Sequence, residues 1–278
     1  MREVDHISTR LHTSPSPEYY KQEQDGSFLL TQPENKSNQY EQAMANDNES
    51  VPTTVGAVIV AGGQSTRMSG QDKTFIDLSG KPLISHTILP FQKSHEITEI
   101  VLILPLHSVA KGEELVSQHK FDKVSGVYAG GNTRQESVRI GLQSLNSCDW
   151  VLIHDGARPC VNRSLISEGI KTAKLKGSAV ASVPVTDTIK IISEDKIIQE
   201  TPPRDRLWAS QTPQIFEYRT LIDAHDRAPG SFTDDSSLLE YLGYNITVFE
   251  GSYSNTVSYT HLRAHETDSY LVCRLLLE

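Results

Sequence analysis

Long apolar runs are missing from this chain of 278 residues. None approaches the roughly 20 consecutive residues that a bilayer-spanning helix requires, and the acidic N-terminus lacks the apolar core of a secretory leader. Neither a membrane span nor export is therefore expected. Cysteine is scarce: Cys148, Cys160 and Cys273 stand far apart with no C-x-x-C. That excludes a zinc knuckle or a disulfide framework and fits a reducing cytoplasm. Positive charge is in deficit. A net charge of −9 argues against a protein that coats nucleic acid and against a polybasic membrane patch. Apolar residues make up only 37%, low for a chain folded throughout, so part of the length is expected to lie outside any core. Internal repeats are absent. So are two familiar phosphate loops: no glycine precedes Lys73 as G-x-x-x-x-G-K-[ST] would require, and Gln64-Ser65-Thr66 after the glycine pair breaks G-x-G-x-x-G.

What is present begins at Ala57. The run Ala57-Val58-Ile59-Val60-Ala61 is short and rich in β-branched residues, which reads as a buried strand of a parallel sheet. Gly62 and Gly63 follow, where the strand must turn and bare backbone can approach a ligand. Arg67 and Lys73 then share one loop. Backbone N–H groups at such a turn form a nest for oxyanions, and two fixed cations would deepen it. A triphosphate cradle is one reading; a tight turn with two solvated cations is the other. The pattern G-G-x-S-x-R-M followed by D-K is more specific than the glycines alone. It resembles the signature loop of the sugar- and alditol-phosphate nucleotidyltransferases, in which the Arg and Lys stabilise charge on the α-phosphate.

Along the chain, residues 1–54 are dominated by Gln, Asn, Ser, Glu and Pro. Such a segment buries too little surface to offset its ordering entropy and is expected to be disordered. From Val55 strands and helices alternate. Helices are expected at Pro82–Phe91, ended or kinked by Pro90, at Val109–His119, and at Thr133–Leu145 with Asn132 as its N-cap. The last places Arg134 and Ser137 beside an anion-friendly helix start, close to a second glycine pair, Gly130-Gly131. Glu99–Leu104 and Trp150–Ile153 read as buried strands, the latter running into His154-Asp155-Gly156-Ala157-Arg158-Pro159. Ligands of an open parallel sheet bind beyond the carboxyl ends of its strands. Asp155 could there hold a ribose hydroxyl or a magnesium ion, or merely brace the turn with Arg158. His154 is expected to pack or orient its neighbours. Residues 188–192 and 196–200 form a hairpin, which alone would be marginal and invites a second subunit. A helix near Asp234–Leu242 takes Thr233 as its N-cap.

Taken together, AGGQSTRM, DKTFIDLSGKPLI, GGNTRQESV, VLIHDGARP, VPVTDTIK, TPPRDRLWASQTPQIF, FTDDSSLLE and VFEGSYSN resemble the 2-C-methyl-D-erythritol 4-phosphate cytidylyltransferase family. Its members use CTP in the methylerythritol phosphate route to isoprenoids. The likeness covers about residues 55–255 in family order. It implies a Rossmann-like α/β nucleotidyltransferase sheet with flanking helices and a protruding β-hairpin arm, about residues 186–205, that joins a homodimer. It further implies that Ala61, Gly62, Gly63, Gly131, Arg134, Ser137, Asp155, Gly156 and Arg158 surround CTP. Arg67 and Lys73 would hold the reacting phosphate, with magnesium bound alongside the nucleotide. Thr188, Arg204, Thr212 and Thr233 would bind the phosphorylated polyol, Thr188 and Arg204 from the partner's arm, and Arg204 is a third candidate catalytic cation. A ribitol-5-phosphate cytidylyltransferase would share nearly every CTP-side residue, a molybdopterin guanylyltransferase only the first loop. A nucleotide-binding protein without catalysis is the remaining alternative.

The resemblance breaks after Asn255. Thr256-Val257 stands where the family has Ile-Lys, and that lysine helps orient the acceptor phosphate. Residues 256–278 resemble translated sequencing-adapter read-through, so resequencing the locus across this junction is expected to replace them; an unchanged tail would refute that reading. For the loop itself, Arg67→Ala or Lys73→Ala is expected to lower turnover roughly 100-fold or more while CTP still binds. Steady-state rates beside a direct CTP titration check this. Lost CTP binding with unimpaired turnover at saturation would contradict the assignment.

Overall fold

The computed structural model describes residues 20–22, 28–30, 53–62 and 73–256, with the backbone alone for 20–22, 28–30 and 73. The chain divides into two units, Met1–Asn48 and Glu49–Glu278. In the first, β1 (Tyr20–Gln22) and β2 (Phe28–Leu30) pair antiparallel. Apart from that ladder and residues 53–54, the polar tail expected over 1–54 lies outside the described residues. So do Gly63, Arg67, the Lys73 side chain and residues 257–278.

The second unit alternates strands and helices. It opens with β3 (Val55–Val60), a small ladder of β4 (Asp77–Leu78) and β5 (Lys81–Pro82), and α1 (Leu83–Lys93). Then come β6 (Glu99–Leu104), α2 (Val109–His119), β7 (Val124–Ala129), α3 (Arg134–Ser144), β8 (Trp150–Asp155) and α4 (Arg163–Lys176). After β9 (Ser178–Pro184) the short strands β10 (Ile191–Ile192) and β11 (Ile198–Glu200) lead to β12 (Trp208–Glu217). The described chain closes with α5 (Tyr218–Arg227), α6 (Asp235–Tyr241) and β13 (Val248–Glu250).

Seven strands form one sheet in the order β13-β9-β12-β8-β3-β6-β7. β3 lies parallel to β6 and β8, β6 to β7, and β13 to β9, whereas β12 runs antiparallel to both its neighbours. Every residue of β3 is buried, as a strand covered on both faces must be. Its Val55, Ala57 and Ile59 point into the layer of α1, α2 and α4, with Ile88, Leu115 and Ile166. Val58 and Val60 point into the opposite layer, with Val138 of α3, Leu221 of α5 and Leu238 of α6. The expected α/β class and flanked sheet are what the molecule adopts.

Local details depart from expectation. Pro90 neither ends nor bounds α1, which continues to Lys93. Phe91, just past the proline, is fully buried, and that burial holds the last turn despite the lost N–H. Thr133, not Asn132, caps α3: its Oγ1 accepts the Glu136 N–H at 3.0 Å, while Glu136 Oε2 reaches back to the Asn132 N–H at 2.7 Å. That is the T-x-x-E reciprocity of a capping box, shifted by one at its return bond. Asp234, not Thr233, caps α6, accepting from the Ser237 N–H at 2.9 Å. The hairpin pairs less of its length than expected, only β10 with β11.

Candidate active site

Chain direction sets the location. From β3 the chain moves one way across the sheet to β6 and β7, then returns to lay β8 on the other side of β3. At such a switch point the ligands of an open sheet bind beyond the strand ends. Backbone bonds hold the loop starts: Ala61 N–H donates to Ile103 O, Gly130 N–H to Leu104 O and Gly156 N–H to Val60 O, each at 2.8 Å. From α1, Thr87 Oγ1 donates to Gly156 O at 2.9 Å.

The glycines have a packing duty that their sequence did not announce. The loop after β7 must cross the end of β6 to reach the loop after β3. A Cβ on Gly130 would lie 3.0 Å from the Gly62 Cα and 2.7 Å from Ser137 Oγ. Bare α-carbons at both positions let the two loops approach this closely without displacing either. Ser137 is itself fully buried; its hydroxyl donates to Thr133 O at 2.9 Å and accepts the Gly131 N–H at 3.1 Å. It shapes the Gly131 turn from beneath.

Asp155 ends β8 between two arginines. Arg134 Nε donates to its Oδ1 at 3.2 Å and Arg158 Nε to its Oδ2 at 3.1 Å. Arg134 is anchored from behind, its Nη1 donating to Oδ2 of the buried Asp235 at 2.8 Å. Burial by itself would raise the Asp155 pKa, but the Arg134 and Arg158 guanidiniums outweigh it and hold the carboxyl below its ordinary value. Burial likewise opposes the charge on Arg134, and Asp235 with Asp155 overcome it, so this arginine is held protonated more firmly than usual. About a quarter of each side chain, 28% of Arg134 and 25% of Asp155, faces solvent. Arg134 Nη2 is buried without a hydrogen-bond partner, a donor left over for something else. Two guanidiniums and two carboxylates sum to no net charge. This cluster can orient a polar ligand, but it cannot neutralise a triphosphate.

Behind Asp155 runs a second layer of contacts delivered by β12. The Asp155 N–H donates to Thr212 Oγ1 at 3.0 Å, Thr212 Oγ1 meets His154 Nδ1 at 3.0 Å, and His154 Nε2 meets Arg158 O at 3.2 Å. A carbonyl can only accept, so Nε2 carries the proton and Nδ1 accepts from the threonine hydroxyl. His154 is fully buried against Phe91, ring centroids 5.1 Å apart. Burial drives its pKa down to about 4, which keeps it neutral. From the C-terminal side, the buried Asn255 donates Nδ2 to Thr212 O at 2.7 Å and accepts Arg158 Nη1 on its carbonyl at 2.8 Å.

Ala61, Gly62, Gly131, Arg134, Asp155, Gly156 and Arg158 thus lie at neighbouring strand ends and the loops that leave them. Thr212 arrives as well, but buried, its hydroxyl already engaged. Thr233 is exposed beside Asp234. Thr188 and Arg204 are exposed on the arm, where Arg204 Nη1 donates to Thr186 O at 2.8 Å. Among the described residues no hydrogen bond or ion pair joins either of them to the Asp155 cluster. Sequence reasoning missed Asp235 and Asn255. Their only advance signals were the second acid of F-T-D-D and the closing Y-S-N, which were read as motif text without a contact. Among the described residues no group of three or more His, Cys, Asp or Glu could hold a metal.

The doubly wound sheet is that of the nucleotidyltransferases, and this is the class to which the chain belongs. The pattern of 2-C-methyl-D-erythritol 4-phosphate cytidylyltransferases matches residues 55–261, and the chain belongs to that family. A relative of that name from Dehalococcoides mccartyi is 49% identical over 201 residues, 72% of this chain and 88% of its own. One from Halalkalibacterium halodurans is 43% identical over 202 residues, 71% of this chain and 88% of its own. The crystal structure of 4-diphosphocytidyl-2C-methyl-D-erythritol synthase from Anaerococcus prevotii superposes with a TM-score of 0.69 at 25% identity, over 82% of this chain and 97% of that one. The 2-C-methyl-D-erythritol 4-phosphate cytidylyltransferase from Thermus thermophilus gives 0.63 at 27% identity, over 82% of this chain and all of its own.

The neutral histidine makes stability depend on acid. Between the ordinary value of 6.5 and about 4 the unfolded chain binds a proton on this ring and the folded one does not. Stability contributed by neutral His154 is thus present above pH 6.5 and falls as pH is lowered, by about 3 kcal/mol on reaching pH 4. Urea midpoints at pH 7 and 4.5 should drop more in the wild type than in His154→Gln. Equal drops would assign the loss elsewhere.

Proposed function

We propose that this chain transfers CMP from CTP to 2-C-methyl-D-erythritol 4-phosphate, releasing pyrophosphate, as a step in isoprenoid precursor synthesis. The observation that carries this reading is the ionised Asp155, clamped by Arg134 and Arg158 at the switch point of the sheet, in a chain of this family.

A phosphate-monoester oxygen of the acceptor attacks the α-phosphorus of CTP. The new P–O bond forms as the bond to the bridging oxygen breaks, and pyrophosphate leaves. That nucleophile is already anionic near neutrality, so no general base is required, and the neutral buried His154 is suited to none. The barrier is charge repulsion and alignment. Asp155 accepts from a ribose hydroxyl, and the spare Nη2 of Arg134 donates to the nucleotide beside it. Because the Asp155 cluster is neutral overall, charge compensation falls to Arg67 and Lys73. The first offers a planar fork and the second a point charge. Fixed donors of this kind lower barriers by about 2.7–4 kcal/mol each.

The pocket fits a magnesium ion carried with the triphosphate rather than one resident in the protein. Each Asp155 oxygen accepts one guanidinium hydrogen bond and retains a lone pair, and one carboxylate plus phosphate oxygens is a common magnesium set. Such an ion offsets charge on the departing pyrophosphate.

A second copy of the chain completes the acceptor side. Thr188 and Arg204 sit on an arm whose Ile191, Ile192, Ile197 and Ile198 are 44–66% exposed, and an isolated two-stranded hairpin is marginal in water. A homodimer covers those side chains and brings the arm's polar residues to a neighbouring crevice, where Thr233 joins them. The free thiols of Cys148 and Cys160 are in keeping with a reducing cytoplasm.

Pyrophosphate release tests the reaction. With CTP and magnesium, methylerythritol phosphate is expected to support turnover at least about tenfold better in kcat/KM than ribitol 5-phosphate. The reverse order would move the assignment to a ribitol-phosphate enzyme, and no release with either would leave only nucleotide binding.

A further inference from the structure

Thr212 stands apart from the other residues expected to meet the acceptor. It is 3% exposed, and its hydroxyl has two internal partners, the Asp155 N–H and His154 Nδ1. The hydroxyl hydrogen points at the histidine, because Nε2 must spend its own proton on Arg158 O. The result is a one-way chain of hydrogen bonds. It runs from the Asp155 amide through Thr212 and neutral His154 to the Arg158 carbonyl, spanning the turn that carries both charged side chains. Asn255 adds a lock at each end, one to the Thr212 carbonyl and one to the Arg158 guanidinium.

We infer that Thr212 and His154 form a positioning relay for the nucleotide half of the site, and that the Thr212 hydroxyl serves CTP through Asp155 and Arg158 rather than touching the acceptor. This rests on the cytidylyltransferase reading above. The physical reason is geometric. Asp155 is the last residue of β8; Gly156 N–H still bonds Val60 O and Arg158 N–H bonds Asp155 O, but the Asp155 N–H and the Arg158 carbonyl find their partners only in Thr212 and His154. A rigid ring between a strand hydroxyl and a turn carbonyl supplies both, and sealed from water it costs little to keep in one arrangement. Losing the hydroxyl leaves a part-buried Asp155 N–H unpaired and frees the ring to tilt. Arg158 then drifts from the carboxylate it clamps. Tolerance at such sites is narrow, since a displacement of about 1 Å can cost about 100-fold.

Thr212→Val keeps the shape and removes the hydroxyl; Thr212→Ser keeps the hydroxyl. The dissociation constant for CTP with magnesium is measured by calorimetry and the KM for the acceptor by pyrophosphate release. Thr212→Val is expected to weaken CTP about tenfold or more with the acceptor KM moving less than about twofold. Thr212→Ser is expected to recover most of that loss. A raised acceptor KM with unchanged CTP affinity would overturn the inference and return the hydroxyl to the acceptor, and so would no change in either constant. Nitrogen-15 shifts of His154 in the unmutated protein provide a second check that survives a variant failing to fold. A protonated Nε2 with a bare Nδ1 is expected; the opposite tautomer would overturn the relay. An unmutated chain that binds no CTP would remove the cytidylyltransferase reading itself. Normal turnover with an indifferent Thr212→Val would remove only this inference.

Discussion

The Asp155 carboxylate, held between the Arg134 and Arg158 guanidiniums, is the interaction on which the site depends. Each partner comes from a different part of the chain: Asp155 from a strand end, Arg134 from a helix start, Arg158 from the turn beyond. Placing a carboxylate out of water is costly unless its charge is matched and its lone pairs engaged. Here both oxygens are engaged, and the arginines are in turn tied to Asp235 and to the Asn255 carbonyl. The charges cancel, so the arrangement is stable without ligand and provides direction rather than net potential.

That neutrality divides the labour within the crevice. The Asp155 cluster can recognise the neutral part of a nucleotide, its sugar hydroxyls, because it offers both a fixed acceptor and a spare donor. The triphosphate needs uncompensated cations, the part proposed above for Arg67 and Lys73, whose side chains lie outside the described residues. In the proposed reaction, recognition and charge neutralisation are thus carried by different residues.

Much of this was legible in residue order. The buried strands β3, β6 and β8 announced themselves as short β-branched runs, and the doubly wound class followed from their alternation with helices. Asp155 and Arg158 were placed by the rule that ligands sit beyond strand ends, and Arg134 by its place at an anion-friendly helix start. Other features were not legible. Pro90 looked like a stop or a kink because propensity is local; it is not a stop, because Phe91 is retained by a core that local rules do not see. The N-caps slipped by one residue for both α3 and α6, because two neighbouring residues had capping side chains and only the bonds from the Glu136 and Ser237 N–H groups chose Thr133 and Asp234. β12 was not foreseen as a strand. It is antiparallel because the arm that precedes it turns back without a crossover helix, and only that reversal brings Thr212 beside His154.

The chain's order of residues alone determined the class, the loops and the cations, because hydrophobic period and glycine position act over a few residues. Tertiary structure decided which polar groups are spent on one another. Whether Thr212, His154, Asp235 and Asn255 face a ligand or each other depends on contacts across 10 to 101 positions of chain. No pattern within a short window encodes separations of that range.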